Sequence, residues 1–110
     1  MNSWVVREYL TQAGENPYRN WLACLDKAVK ARVQARVMRF EQGNLGDSKV
    51  VGEGVWEARL MFGAGYRIYF ALDGDTILLL LLGGDKRTQS KDIRKAQQYW
   101  TDYCTRRNNG

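Results

Sequence analysis

Arg59 and Arg67 are the residues of this chain best placed, by type and spacing, to do chemistry. Arg59 lies near the end of the strand-like run Val55-Trp56-Glu57-Ala58-Arg59-Leu60-Met61. Arg67 lies near the start of the next, Gly65-Tyr66-Arg67-Ile68-Tyr69-Phe70, with a Gly-rich turn between them. Side chains alternate along a strand. Trp56, Ala58 and Leu60 therefore share one face with Ile68, Phe70 and Leu72, while Glu57, Arg59 and Met61 share the other with Arg67 and Tyr69. A hairpin centred on Gly63 sets the two arginines directly opposite each other. Like charges so placed repel, and the pair needs an anion. One reading is a surface Arg–Glu network built on Glu57, which carries little energy. The other is an open sheet face that receives a polyanion. Past the apolar run Ile77 to Leu82, the segment Gly83-Gly84-Asp85-Lys86-Arg87-Thr88-Gln89-Ser90-Lys91 adds Lys86, Arg87 and Lys91. A helix capped by Ser90 would add N–H groups and a dipole. Arginine's planar fork donates to phosphate in pairs, and the combination favours the anion site.

The chain has no histidine. That removes Ser-His-Asp and Cys-His nucleophile systems and paired-imidazole ribonuclease chemistry. Carboxylates do not cluster at metal-ligand spacing, and Cys24 and Cys104 stand far apart, so neither a metal nor another cofactor is expected. What remains is Arg and Lys, which stabilise charge developing on a phosphate, and a Tyr or Lys of lowered pKa as acid or base. Tyr69 on the arginine face and Tyr99 or Tyr103 on the last helix are the candidates, although packing is the commoner role of any tyrosine. This toolkit suits attack by an RNA 2′-hydroxyl on its own phosphate. It suits DNA poorly, because DNA lacks that nucleophile.

The elements that must position these groups follow from pattern. A chain of 110 residues is expected to form a single domain over 1–110, with one real core. Seventeen Lys and Arg against twelve Asp and Glu give +5 and a pI near 9.4. That balance favours nucleic acid or an acidic protein partner, with solubility as the competing explanation. Cys24, following Trp21 and Leu22 in an apolar helical stretch, reads as a reduced core thiol. The opening Met1-Asn2-Ser3-Trp4 is not expected to be a signal peptide, and the run at 77–82 is too short to span a bilayer. A cytoplasmic protein without membrane contact is expected. Residues 4–10 read as a first strand. Asn16-Pro17 starts a short helix through Trp21, Leu22 and Leu25. Asp26 caps a longer one ending near Gln42, with Gly43 beyond. Val29, Val33, Val37 and Phe40 form its apolar stripe, and Arg32, Arg36 and Arg39 read as a solvated flank. Residues 43–54 read as loop. Strands are expected at about 55–61, 66–72 and 76–82, joined as hairpins. A final helix runs from about Ser90 to Asp102 or a little beyond, before a tail that should fray.

The stretch from Trp56 to Tyr103 resembles the RelE/ParE superfamily of bacterial toxins, in particular the addiction-module killer or phage Gp49-like branch near HigB. Trp56-Glu57-Ala58-Arg59, Gly65-Tyr66-Arg67-Ile68-Tyr69, the leucine run and Gly83-Gly84-Asp85-Lys86-Arg87-Thr88-Gln89 with Asp92-Ile93 and Ala96 carry the resemblance. It implies a small α+β fold, with two N-terminal helices on a twisted, mainly antiparallel sheet and a C-terminal helix. It implies the toxin of a type II toxin–antitoxin pair, with a helix-turn-helix antitoxin as partner. It further implies a metal-independent endoribonuclease that cuts mRNA on the ribosome and so inhibits translation. Carried over, Arg59 and Arg67 would contact the scissile phosphate, with Tyr69 and Tyr99 as further catalytic candidates, and Lys86, Arg87 and Lys91 would hold RNA. Two alternatives share the fold: a ParE-like protein that inhibits DNA gyrase by binding, and an inactive toxin-fold protein that only binds partners.

Overall fold

A computed structural model describes residues 3–109. The chain runs β1 (Val5–Glu8), α1 (Pro17–Ala23), α2 (Lys27–Glu41), β2 (Ser48–Gly52), β3 (Val55–Arg59), β4 (Arg67–Asp73), β5 (Ile77–Gly84) and α3 (Gln89–Asn109), with a 3-10 turn at Lys86–Thr88 leading into α3. The strands form one five-stranded sheet in the order β1-β5-β4-β3-β2. Only β1 runs parallel to its neighbour, β5; the other pairs are antiparallel. This is the expected α+β architecture, with both N-terminal helices packed on the sheet and a C-terminal helix.

Two apolar layers hold it. Tyr18 and Leu22 of α1 and Val33 and Phe40 of α2 pack on Ala58, Ile68, Phe70, Leu78 and Leu80. Ala96 of α3, with Ile93, Tyr99 and Trp100, packs on Val55, Tyr69, Ala71, Leu79 and Leu81 from the other side. The sheet centre is therefore buried on both faces, which is why β5 reads as an unbroken apolar run rather than an alternation. Gly83 and Gly84 continue β5. A Cβ on Gly83 would stand 2.0 Å from the Trp21 ring, and one on Gly84 1.9 Å from Asp92 Oδ2. The Gly-Gly pair lets α1 and α3 approach the two faces of one strand end.

Local chemistry explains most boundaries. Asn16 caps α1 by accepting from the Arg19 N–H at 2.9 Å, and Pro17 opens the helix. Asp26 takes the N-cap position of α2 without a side-chain cap bond, and Gly43 follows its end at φ +90.

Five expectations need correction. Residues 48–52 are a strand: Lys49 and Val50 pair with Glu57 and Trp56, and the run ends in a tight Gly52–Gly54 turn. Arg36 is buried, with its guanidinium donating to the carbonyls of Arg59 at 2.7 Å and Asp47 at 3.0 Å. Cys24 is exposed at the end of α1, where the helix has already turned its Tyr18–Leu22 side inward. Asp85, not Ser90, caps the turn before α3, accepting from the Arg87 N–H at 2.9 Å. The tail does not fray before Asn109, because Arg106 pairs with Asp102 and Arg107 with Asp73.

Candidate functional site

The β3–β4 register sets Arg59 directly opposite Arg67. It also sets Glu57 opposite Tyr69, so these four residues share a sheet face as alternation requires. That face is not open. The first turns of α3 lie across it, and Glu57 and Tyr69 are fully buried while Arg67 is only 8% exposed. Covering one face of a hairpin is a tertiary event, and nothing in the strand pattern announces it.

Two different carboxylates answer the two arginines. Arg67 places its Nε 3.5 Å from Glu57 Oε2 and donates through Nη1 to the Gly65 carbonyl at 2.6 Å. Glu57 Oε2 also accepts from the Tyr69 hydroxyl at 3.1 Å and from Gln89 at 2.9 Å. A buried carboxylate needs such partners. Arg59 reaches outward, with Nη2 3.3 Å from Asp47 Oδ2 in a half-exposed pair. The Arg36 guanidinium anchors both the Arg59 and the Asp47 backbone and so fixes this corner.

Beyond this layer the two arginines line a cleft of about 460 Å³ with Met61, Gly65, Tyr66 and Lys86. The Lys86 N–H donates to the Ala64 carbonyl at 3.3 Å, which ties the 3-10 turn to the β3–β4 loop. Met61 is 77% exposed, and Tyr66 stands against Phe62 with ring centroids 5.4 Å apart. The cleft thus combines three cations, a phenol and an apolar wall. Glu57 beneath it and Asp47 beside it offset part of the charge.

The structure brings Arg59, Arg67 and Lys86 together. It does not bring the other named residues to the cleft. Tyr69 lies under it, and burial together with the neighbouring Glu57 carboxylate pushes its phenol strongly up. It therefore stays protonated and acts as a donor to Glu57. Tyr99 stacks on Tyr9 at 5.0 Å, ten residues along α3 from Gln89 and so roughly 15 Å away along the helix; burial raises its pKa as well. Tyr103 lies one further turn away and donates to Asp73 at 2.7 Å. Arg87 is exposed and paired with Asp85 at 3.1 Å, and Lys91 is exposed on the first turn of α3. The helix start does not present a bare dipole. Asp85 caps it, and Asp92, whose carboxyl is pushed up by burial, accepts from the Thr88 hydroxyl at 2.5 Å. Tyr66, Asp47 and Arg36 are the site residues that the sequence reading missed. The one available signal was the adjacency of Tyr66 to Arg67 at the exit of a Gly-rich turn. Among the described residues no group of three or more Asp, Glu, Cys or His stands close enough to hold a metal ion. No helix there is long and apolar enough to cross a membrane.

Comparison with known proteins places this arrangement. The family described as phage derived protein Gp49-like matches residues 20–101. An uncharacterized protein of Haemophilus influenzae is 42% identical over 81 residues, covering 73% of this chain and 82% of the relative. No solved structure matches. The chain belongs to the Gp49-like family, a family of toxin-type proteins.

Proposed function

We propose that this member of the Gp49-like family is the toxin of a type II toxin–antitoxin pair and acts as a metal-independent, ribosome-dependent mRNA endoribonuclease of the RelE/HigB kind. The observation that carries the reading is the convergence of Arg59, Arg67 and Lys86 on one cleft, on a scaffold without histidine. In this mechanism an RNA 2′-hydroxyl attacks its own phosphodiester. Arg59 and Arg67 hold the non-bridging oxygens as negative charge builds on them. The Tyr69–Glu57 pair fixes the Arg67 guanidinium from beneath. Tyr66 and Lys86 are the cleft groups able to deliver a proton to the departing 5′-oxygen, and the proton of the attacking 2′-hydroxyl leaves to water. The catalytic set is thin, and in-line positioning by the ribosome would supply much of the remaining barrier reduction, roughly 7–11 kcal/mol in favourable cases. Arg87 and Lys91, outside the cleft, add long-range attraction to RNA. A basic toxin would capture an acidic antitoxin segment quickly by electrostatic steering.

The test is induction in cells followed by mapping of mRNA ends, with one reporter carried with and without its start codon. Cuts confined to the translated transcript, and in reconstituted translation cleavage that leaves 2′,3′-cyclic or 3′-phosphate ends, are expected. Equal cutting of the untranslated transcript removes ribosome dependence. Absence of cuts together with relaxed plasmids moves the assignment to gyrase inhibition.

A further inference from the structure

A second cleft, of about 310 Å³, adjoins the first. Leu60, Met61 and Phe62 line both, so the two form one groove divided by the β3–β4 loop. Its far wall is α2, which contributes Arg32, Arg36 and Arg39. Arg36 is committed to backbone carbonyls. Arg32 and Arg39 are exposed, and among the described residues neither has a carboxylate within salt-bridge distance. Arg32 lies with its guanidinium 4.5 Å over the Phe62 ring, and Phe62 in turn packs on Tyr66 of the first cleft. A guanidinium held over an aromatic ring on an exposed side chain keeps its other side open to a ligand, and a nucleobase is the flat partner that arginine takes in single-stranded RNA.

We infer that the Arg32–Phe62 pair is a second subsite, which stacks the base one nucleotide beyond the pair that flanks the phosphate held by Arg59 and Arg67, while Arg39 meets the phosphate that joins that further nucleotide. The inference rests on the reading of the first cleft as an RNA phosphate site and extends it. Arg32 and Arg39 become residues that determine how much RNA is gripped, separate from those that act on the phosphate. A cavity of this size lies within the roughly 300–1,000 Å³ usual for ligand sites. The subsite reads a base by its face, so it is tolerant of sequence.

The experiment measures binding of 2′-O-methyl oligouridylates of two, three and four nucleotides, which cannot be cleaved, by NMR titration at low salt. In the wild type, lengthening beyond two nucleotides should tighten binding about tenfold. Arg32→Ala, an exposed substitution outside the first cleft, should erase that gain and leave dinucleotide binding unchanged, and Phe62→Leu, which keeps an apolar wall, should erase the gain as well. Arg59→Ala should weaken every length alike. A length gain that survives both Arg32→Ala and Phe62→Leu overturns the subsite while leaving the phosphate cleft standing. So does a dinucleotide that binds through Arg59 with no gain on lengthening. Binding indifferent to Arg59→Ala, or no binding of any length, overturns the reading of the first cleft and the subsite with it.

Discussion

Three times among the described residues a tyrosine hydroxyl and an arginine meet on one carboxylate, and the three cases are not equivalent. Two of them lie toward the C-terminal end of α3. There Tyr9 donates to Asp102 at 2.5 Å with Arg106 at 2.7 Å, and Tyr103 donates to Asp73 at 2.7 Å with Arg107 beside it. In both, the tyrosine bond and the arginine hold the carboxylate below its usual range, the tyrosine bond contributing most. The third joins Tyr69, Glu57 and Arg67 beneath the cleft, and its carboxylate is fully buried. In the two outer triplets the network ties α3 to the rest of the fold: Arg107 reaches Asp73 at the end of β4, while Arg106 pairs with Asp102 within α3 and Tyr9 makes the bond across. In the inner one the arginine is an output: its guanidinium lines the cleft beside Arg59 and Lys86. The same three groups make a fastener at one end of α3 and, at the other, a mount that sets a cation at the cleft wall. Burial of the carboxylate and the position of the arginine at the cleft wall decide which.

The sharpest way to break this comparison is to remove the inner arginine. Arg67→Ala should abolish growth inhibition and also destabilise the fold, because it leaves Glu57 buried without its cation. Losing one partner of a buried pair costs about 3–5 kcal/mol. Urea denaturation should show the loss, and Arg107→Ala should show almost none, since its pair is close to solvent. A stable, toxic Arg67→Ala protein would sink the mount. The double variant Arg67→Ala/Glu57→Gln should regain stability without regaining activity.

Arg59→Ala isolates the chemistry from the scaffold. Arg59 makes only a half-exposed pair with Asp47, so stability should stay within about 0.5 kcal/mol. Loss of a contact to the developing charge should lower the cleavage rate on the order of a hundredfold, roughly 3 kcal/mol. Toxicity in cells and end-mapping report the rate, and thermal melting reports the fold. Full toxicity in a folded Arg59→Ala protein would remove the cleft from the mechanism.

How much of this could be read from the chain differs between the two regions as well. The facing of Arg59 and Arg67 followed from alternation and a turn centred on Gly63. The sharing of one face by Glu57 and Tyr69 followed with it. What covers that face did not, because α3 returns to it from thirty residues away in sequence. The strand β2 hid for a local reason: Lys49-Val50-Val51 is short and bounded by glycines, which reads as loop chemistry. Gly83-Gly84 looked like the start of a loop, yet both glycines are strand residues kept small by Trp21 and Asp92. The outer triplets were invisible because each joins residues thirty or more than ninety positions apart. Tyr66 escaped notice because the strand pattern placed it on the core side, while the loop before it opens that position to the cleft.

A gentler probe is the tyrosine of the inner triplet. Tyr69→Phe removes one donor from Glu57 and keeps the ring in the core. Hydrogen bonds to a charged group contribute about 1.5–3 kcal/mol, so denaturation should show a loss of about 2 kcal/mol. Cleavage should fall several-fold through a less rigid Arg67, and the pH profile of the rate should keep its shape. Disappearance of an ionisation from that profile would return Tyr69 to the role of acid or base.

Tyr9→Phe is the smallest change and tests whether the outer triplets are only fasteners. Activity should be unaltered, and stability near pH 8 should fall by about 1 kcal/mol. The effect should depend on pH in a definite way. Burial, with the Asp102 carboxylate, pushes the Tyr9 phenol up to about 12 from its ordinary 10. A group whose pKa rises on folding stabilises the fold below its unfolded pKa, and that contribution is lost as pH climbs through the folded value. Asp102 shifts the other way, so its share is present above the ordinary carboxylate range and is lost as pH falls through its lowered pKa. The gap between wild type and Tyr9→Phe should therefore be widest at neutral pH. It should narrow above pH 10, where the phenol ionises in the unfolded chain before it does in the fold, and narrow again in acid as Asp102 is protonated. Urea titrations at about pH 3, 8 and 11 would trace it. A gap that stays constant across that range would mean that the Tyr9 hydroxyl contributes without regard to the charge on Asp102, and the likeness between the outer and inner triplets would then be one of geometry without shared energetics.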